Sequence, residues 1–313
     1  MKRLAIVCPC YNEEDVLESS INRLHALYES LSNNNKIDSD SFVLLVNDGS
    51  KDRTWGIIKE LHQKYSFIKG LDLAHNVGHQ SAILAGMMKA KEYADMVITM
   101  DVDLQDDLGA IGKMVDAYSE GYDVVYGVKV SRTADPVMKR MTAMTFYKLQ
   151  KAFGIESIYN HADFRLLSRR TIEMLTNYKE RNLYLRGIIP MIGMPYTTVD
   201  DVISERSAGK SKYTLSKMLN LALDGITSFS SKPIYLILYL GIFFLIVAVL
   251  ICIDIILSLI HGTAVPGWAS LMVSLWFIGG VCLMSMGTIG IYIGKMYIEV
   301  KNRPLYNIKE YLS

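Results

Sequence analysis

The chain has 313 residues, 50% of them hydrophobic, with 33 Lys and Arg against 32 Asp and Glu for a formal net charge of +1. So even a balance supplies no field for gripping nucleic acid, so no nucleic-acid partner is expected and basic residues matter only locally. The four cysteines lack zinc-type spacing and read as small buried hydrophobes in a reducing compartment.

From the N-terminus, Met1-Lys-Arg3 leads into too few apolar residues before Pro9 to make a signal peptide. Strand and helix patterns then alternate. Strands are predicted over Leu4–Val7, Phe42–Val46, Ile68–Leu73, Asp95–Met100 and Asp123–Tyr126. Helices are predicted over Val16–Leu31, Thr54–Tyr65, Gln80–Lys91 and Gly109–Ser119. Repeated βα units imply an α/β domain with a mostly parallel sheet, whose ligands bind beyond the carboxyl ends of the strands.

The polar residues gather at those ends. The first strand runs into Pro9-Cys-Tyr11-Asn12-Glu13, the second into Asn47-Asp48-Gly49-Ser50, the third into His75-Asn76-Val77-Gly78, and the fourth into Asp101-Val102-Asp103-Leu104-Gln105. Gly49 and Gly78 permit tight turns and close ligand approach. Asp48 and Glu13 can accept hydrogen bonds from a base or ribose, and Tyr11 offers a stacking face. In extended chain Asp101 and Asp103 share a face, and their hard oxygens suit Mg²⁺ or Mn²⁺ with positions left for phosphate. Taken alone, this D-x-D run reads equally well as a solvated strand end. Four consecutive strand ends of this kind are more than solvated loops need.

Beyond residue 230 the composition changes. Ile234–Ile260 carries one charge, Asp254, and Trp268–Ile293 carries none; each exceeds the roughly 20 residues a bilayer crossing needs. The loop between them lacks Lys and Arg, whereas Lys232, Lys295, Lys301 and Arg303 flank the pair. Both ends are therefore expected in the cytoplasm, as a multi-pass anchor of the inner membrane. Gly287, Gly290 and Gly294 form a small-residue face suited to helix packing. Asp254 reads either as functional or as snorkelling from near the outer end. Before the spans, Leu215, Met218, Leu219, Ala222, Ile226 and Phe229 recur at helical spacing, which fits an interfacial amphipathic helix or a core helix.

Six ordered motifs together resemble family 2 glycosyltransferases: Pro9-Cys-Tyr-Asn-Glu13, Val46-Asn-Asp-Gly-Ser50, Asn76-Val-Gly-His-Gln80, Met100-Asp-Val-Asp-Leu-Gln105, Asp163-Phe-Arg-Leu-Leu-Ser168 and Glu205-Arg-Ser-Ala-Gly-Lys-Ser-Lys-Tyr213. More narrowly they resemble the polyisoprenyl-phosphate branch, with dolichol-phosphate mannose synthase and the bactoprenol glucosyltransferases. The resemblance implies a GT-A fold and an inverting transfer of a sugar from a nucleotide diphosphate, with UDP-glucose favoured, to polyisoprenyl phosphate. It implies nucleotide contacts from Pro9, Tyr11, Asn12, Glu13, Asp48, Gly49, Gly78, Gln80, Asp101, Val102, Gln105 and Ser211, and Mg²⁺ or Mn²⁺ on Asp103 with Asp101. Arg206 is the expected partner of the leaving diphosphate, and Arg132 and Arg140 of the acceptor phosphate. A basic solvated face or a lipid-headgroup contact is the alternative for Lys139 and Arg140. Asp163 orients the acceptor or acts as base, and positioning is favoured because a phosphate acceptor is already ionised near neutral pH. One departure is Asn47, where many relatives have a second Asp.

The expected organisation is a cytoplasmic GT-A catalytic domain over 1–205, an active-site loop and juxtamembrane amphipathic helix over 206–232, a transmembrane hairpin over 233–295 and a cytoplasmic tail over 296–313. Membrane lipid is thus an expected partner, and the glycine face allows a homo-oligomer. Gly209-Lys210-Ser211 is not a P-loop, since Ser204 stands where that motif needs Gly. A processive polysaccharide synthase would share the donor motifs, but Trp55, Trp268 and Trp276 lie in no Gln-x-x-Arg-Trp signature and two spans offer little pore. A membrane scaffold would leave the strand-end array without purpose.

Overall fold

A computed structural model describes residues 1–129, 161–181, 183–202 and 267–313, with individual helical positions between 234 and 257. The expected βα alternation is present: β1 (Leu4–Cys10), α1 (Leu17–Asn33), β2 (Phe42–Asn47), α2 (Thr54–Lys64), β3 (Ile68–Leu73), α3 (His79–Ala90), β4 (Met96–Thr99), α4 (Leu108–Ser119) and β5 (Val124–Lys129). After these come β6 (His161–Ser168), α5 (Arg169–Leu175), α6 (Leu185–Met191), β7 (Tyr196–Asp201), α7 (Trp268–Lys301) and β8 (Ile308–Leu312).

The strands form one eight-stranded sheet in the order β7-β5-β6-β4-β1-β2-β3-β8. Its centre, β4-β1-β2-β3, is parallel, as right-handed βα crossovers require. β6 enters antiparallel between β4 and β5, so those two strands are not neighbours. β7 lies parallel to β5 at one edge, and β8 closes the other edge antiparallel to β3. Residues 308–312, expected as part of a tail, are therefore a strand of the catalytic sheet.

The central strands are buried on both faces and read as continuous apolar runs. Leu4, Ile6, Cys8, Cys10, Val43 and Leu45 join the core formed with α1, α2 and α4. On the opposite face α3 packs so closely that a Cβ on Gly86 would lie 2.4 Å from Val7 and 2.8 Å from Val46. Cys8 and Cys10 are fully buried free thiols, as expected of small hydrophobes. Because the chain order reverses at β1, with β2 on one side and β4 on the other, a crevice is expected where β1 and β4 end.

The chain divides into two compact units, one containing this sheet and the other containing α7. Within α7, Phe277–Lys301 is long and apolar enough to cross a membrane, and it is the one such helix among the described residues. Leu283, Met284 and Val300 are exposed, so α7 is not a buried core helix. It ends at Asn302, which takes the left-handed conformation that terminates helices. All of the expected amphipathic helix and much of the first apolar span, with Asp254, lie outside the described residues.

Candidate active site

The D-x-D run sits one step later than expected. β4 ends at Thr99, and Asp101–Gln105 form a turn closed by a hydrogen bond from the Leu104 amide to the Asp101 carbonyl at 3.2 Å. The sharing of a face survives as alternating burial: Val102 and Leu104 are buried in the core, while Asp101, Asp103 and Gln105 are not. Leu104 holds φ +49, a left-handed conformation that costs a branched residue roughly 1–2 kcal/mol. Its burial offsets that cost and holds the turn in place.

Asp103 offers an oxygen suited to a cation. The Gln105 amide donates to one of its oxygens, and the other is buried with no hydrogen-bond partner among the described residues. A buried carboxylate oxygen is ordinarily satisfied, so this one is available to a cation. Among the described residues no group of three or more His, Cys, Asp or Glu forms a closed metal cage. Two carboxylates with open positions fit a hard cation shared with phosphate oxygens and water.

The exits of β1 and β2 are laced together. The Asn12 amide donates to Ser50 Oγ at 3.0 Å, Lys51 N donates to Asn12 Oδ1 at 2.9 Å, and Glu13 N donates to Thr54 Oγ1 at 2.9 Å. Asp48 reaches the third strand end: its two oxygens accept Val77 N at 2.7 Å and Gly78 N at 3.1 Å. Burial pushes the Asp48 carboxyl above its usual value, against the pull of those two amides. Gly49, at φ +62, lies so near the same loop that a Cβ would sit 2.5 Å from Asn76 N and 2.6 Å from the His75 carbonyl carbon. Gly49→Ala is therefore expected to cost about 1–3 kcal/mol, read as a lowered thermal midpoint. An unchanged midpoint would mean that the turn yields freely. Pro9 is half-buried in β1, the strand ends at the buried Cys10, and Tyr11 presents an exposed ring just beyond it.

Asp163, at the start of β6, is the hub of the site. Arg165 Nη2 donates to its Oδ1 at 2.9 Å, Arg186 forks onto both oxygens at 2.8 and 3.3 Å, and Gln80 Nε2 donates at 3.3 Å. The Gln80 carbonyl in turn accepts Leu185 N at 3.2 Å, which ties α3 to the start of α6. His79 Nε2 lies 3.6 Å from both Asp163 Oδ2 and Asp101 Oδ1, joining the hub to the D-x-D turn. Burial alone would raise the Asp163 carboxyl, but the His79 hydrogen bond and the two guanidiniums outweigh it and hold it well below the usual range. His79 shifts upward: burial works against its charge, and Asp163 and Asp101 overcome it. Asp163 is thus a carboxylate with little proton affinity, suited to positioning.

Of the expected site residues, Asp48, Gly49, Gly78, Asp101, Asp103 and Gln105 fall just beyond the carboxyl ends of β2, β3 and β4, Gln80 lies in the first turn of α3, and Asp163 lies near the start of β6, whose antiparallel course brings that end beside the carboxyl end of β4. Val102 is buried and contributes anchoring. Arg132, Arg140, Arg206 and Ser211 lie outside the described residues. His79, Arg165 and Arg186 were not anticipated as partners of Asp163. Arg165 stands in a quoted motif, whereas only the three-dimensional position of α6 reveals Arg186. A second acidic group was also missed: Asp106 and Asp201 are buried behind the turn, and burial pushes Asp106 up to about 7 against the pull of Lys129.

Residues 5–176 match Glycosyl transferase family 2. The chain belongs to that family. The matched span contains the four central strand ends, Asp163 and Arg165, and stops short of Arg186. Among full-length relatives, the uncharacterized glycosyltransferase YkoT of Bacillus subtilis (strain 168) is 47% identical over 305 residues, covering 97% of this chain and 90% of that protein. The SfII prophage-derived bactoprenol glucosyl transferase of Shigella flexneri is 37% identical over 314 residues, covering 98% of each. Among solved structures, a mannosyltransferase of Pyrobaculum calidifontis in complex with GDP-Man and Mn²⁺ is 15% identical, with a TM-score of 0.47 over 96% of this chain and 87% of that one.

Proposed function

We propose that this family 2 glycosyltransferase moves a hexose, with glucose from UDP-glucose favoured, onto a polyisoprenyl phosphate such as undecaprenyl phosphate, inverting the anomeric carbon. The observation that carries the reading is the unpartnered buried oxygen of Asp103, in a turn at the crevice where β1 and β4 end. Full-length similarity to a bactoprenol glucosyl transferase supports the acceptor class.

The turns after β1, β2 and β3 would hold the nucleoside, with Asp48 and Gly49 shaping the floor. Asp103 and Asp101 would hold Mg²⁺ or Mn²⁺, which when bound neutralises charge growing on the departing diphosphate. The lipid phosphate, held by Arg132 and Arg140, supplies the oxygen that bonds to the anomeric carbon. The bond from that carbon to the diphosphate breaks on the opposite face, and the nucleoside diphosphate leaves with the electron pair, its charge to be met by Arg206 on this reading. A phosphate nucleophile is already ionised, so no side chain has to take a proton. Asp163 instead fixes Arg186 and His79 beside the reacting groups.

The membrane part of the reading keeps the site at headgroup level. On this reading residues 234–260 and 268–293 would cross the bilayer as a hairpin with the catalytic domain in the cytoplasm, the segment before them would lie in the interface, and the glycines at 287, 290 and 294 would allow a homo-oligomer. Purified full-length protein should be given undecaprenyl phosphate and radiolabelled UDP-glucose, UDP-N-acetylglucosamine or GDP-mannose in turn. Label from UDP-glucose is expected in the lipid phase. Label from another donor would correct the sugar, and none from any donor would sink the reaction class.

A further inference from the structure

A chain of polar contacts connects the C-terminal strand to the donor side of the crevice. Asp72, near the end of β3, is 2% exposed, yet both its oxygens are engaged. Asn47 Nδ2 donates to Oδ1 at 2.6 Å, and Lys309 Nζ, from β8, donates to Oδ2 at 2.9 Å. The other end of the Asn47 amide accepts Ser50 N at 3.2 Å, closing the turn that contains Asp48 and Gly49. Ser50 Oγ then accepts Asn12 N at the exit of β1. Lys309, Asp72, Asn47, Ser50 and Asn12 thus form one hydrogen-bonded series from the sheet edge to the first two strand ends.

We infer that Lys309 is a positioning residue for nucleotide binding, acting through buried Asp72 and Asn47 on the turn that carries Asp48 and Gly49. The inference rests on the reading above that this turn belongs to the donor site. A buried carboxylate needs a cation or a full set of donors. Without Lys309, Asp72 keeps only one amide donor and turns toward water, which weakens its hold on Asn47. The departure at Asn47 has the same origin: an Asp in its place would set a second carboxylate 2.6 Å from Asp72, where the amide now donates.

The strand is well placed for this task because it is docked by more than the lysine. Ala74 N donates to the Asn307 carbonyl at 2.9 Å, and β8 pairs with β3 from Gly70 to Leu73. The Tyr311 ring stacks on Tyr93 with centroids 6.2 Å apart, beneath Lys89 Nζ at 4.6 Å. Leu312 packs over Gly70, where a Cβ would meet it at 2.9 Å. Removing the ammonium group therefore leaves the strand other means of attachment.

The test is a titration of UDP into full-length wild-type, Lys309→Met, Lys309→Arg and Asp72→Asn/Lys309→Met proteins, with thermal melts of each. Lys309→Met is expected to weaken UDP binding about fivefold or more, within the usual range of coupling between sites. Lys309→Arg should bind within about twofold of wild type because it restores the cation. The double variant should also recover, since an amide at position 72 still offers Asn47 an acceptor and needs no cation. In turnover assays the single variant should raise donor KM and leave kcat and acceptor KM unchanged within about twofold. Wild-type affinity in Lys309→Met overturns the inference, as does equal weakening in all three variants, which would mark a purely structural strand. If the wild-type protein itself binds no UDP, the donor-site reading has failed first.

Discussion

Asp103→Ala is expected to lower sugar transfer by about 100- to 1,000-fold while leaving the thermal midpoint nearly unchanged. The two effects separate because of how the side chain is held. One oxygen accepts from Gln105, and the other is buried without a partner, so the folded state gains little from the carboxylate. The turn is secured by Val102 and Leu104, which remain in the core after the substitution. On the proposed mechanism, what is lost is a hard anionic ligand where diphosphate charge develops. Chelation with EDTA should stop wild-type transfer, and Mg²⁺ or Mn²⁺ should restore it; the variant should show no saturable Mn²⁺ binding by calorimetry. Metal-dependent transfer at the wild-type rate in Asp103→Ala would place the metal elsewhere.

That Asp103 stood out in the sequence follows from where it lies. The parallel centre of the sheet is built from apolar runs separated by helical periods, so strand ends, and the carboxylates just beyond them, are marked by a change of composition. β1 to β5 were legible on this ground, with ends displaced by a few residues. The three later strands carry no such mark. β6 runs antiparallel into the middle of the sheet, a pairing that no local pattern encodes. β7 alternates exposed and half-buried residues at an edge, and β8 is a short polar strand after a long apolar helix, easily read as a tail. The same division runs through the site. Asp163 could be found in its motif, but its partners come from α3 and α6, and only folding brings Arg186 and His79 to it.

Asp163→Ala should be damaging in a different way from Asp103→Ala, by destabilising the fold as well as the chemistry. Arg165 is fully buried, and its Nε and Nη1 lack hydrogen-bond partners among the described residues, so Asp163 is its principal counter-charge there. Removing one member of a buried ion pair costs about 3–5 kcal/mol, because the other charge stays in a medium that cannot solvate it. In a domain of this size that is a fall in melting temperature on the order of 10 °C. The pH dependence has a definite sign. The folded-state carboxyl lies below its unfolded value, so its stabilisation is complete above roughly pH 4 and is lost as pH falls through the folded value. Wild-type stability should decline in acid across that window, and the decline should be shallower in Asp163→Ala. A second variant separates fold from chemistry. Asp163→Asn/Arg165→Met removes both buried charges and should regain most of the melting temperature, since replacing a buried pair by apolar or neutral groups is often neutral. It should not regain transfer, because Arg186 and His79 have lost the carboxylate that holds them. Recovery of both properties would reduce Asp163 to a counter-ion for Arg165, and an unchanged melt in Asp163→Ala would remove the hub altogether.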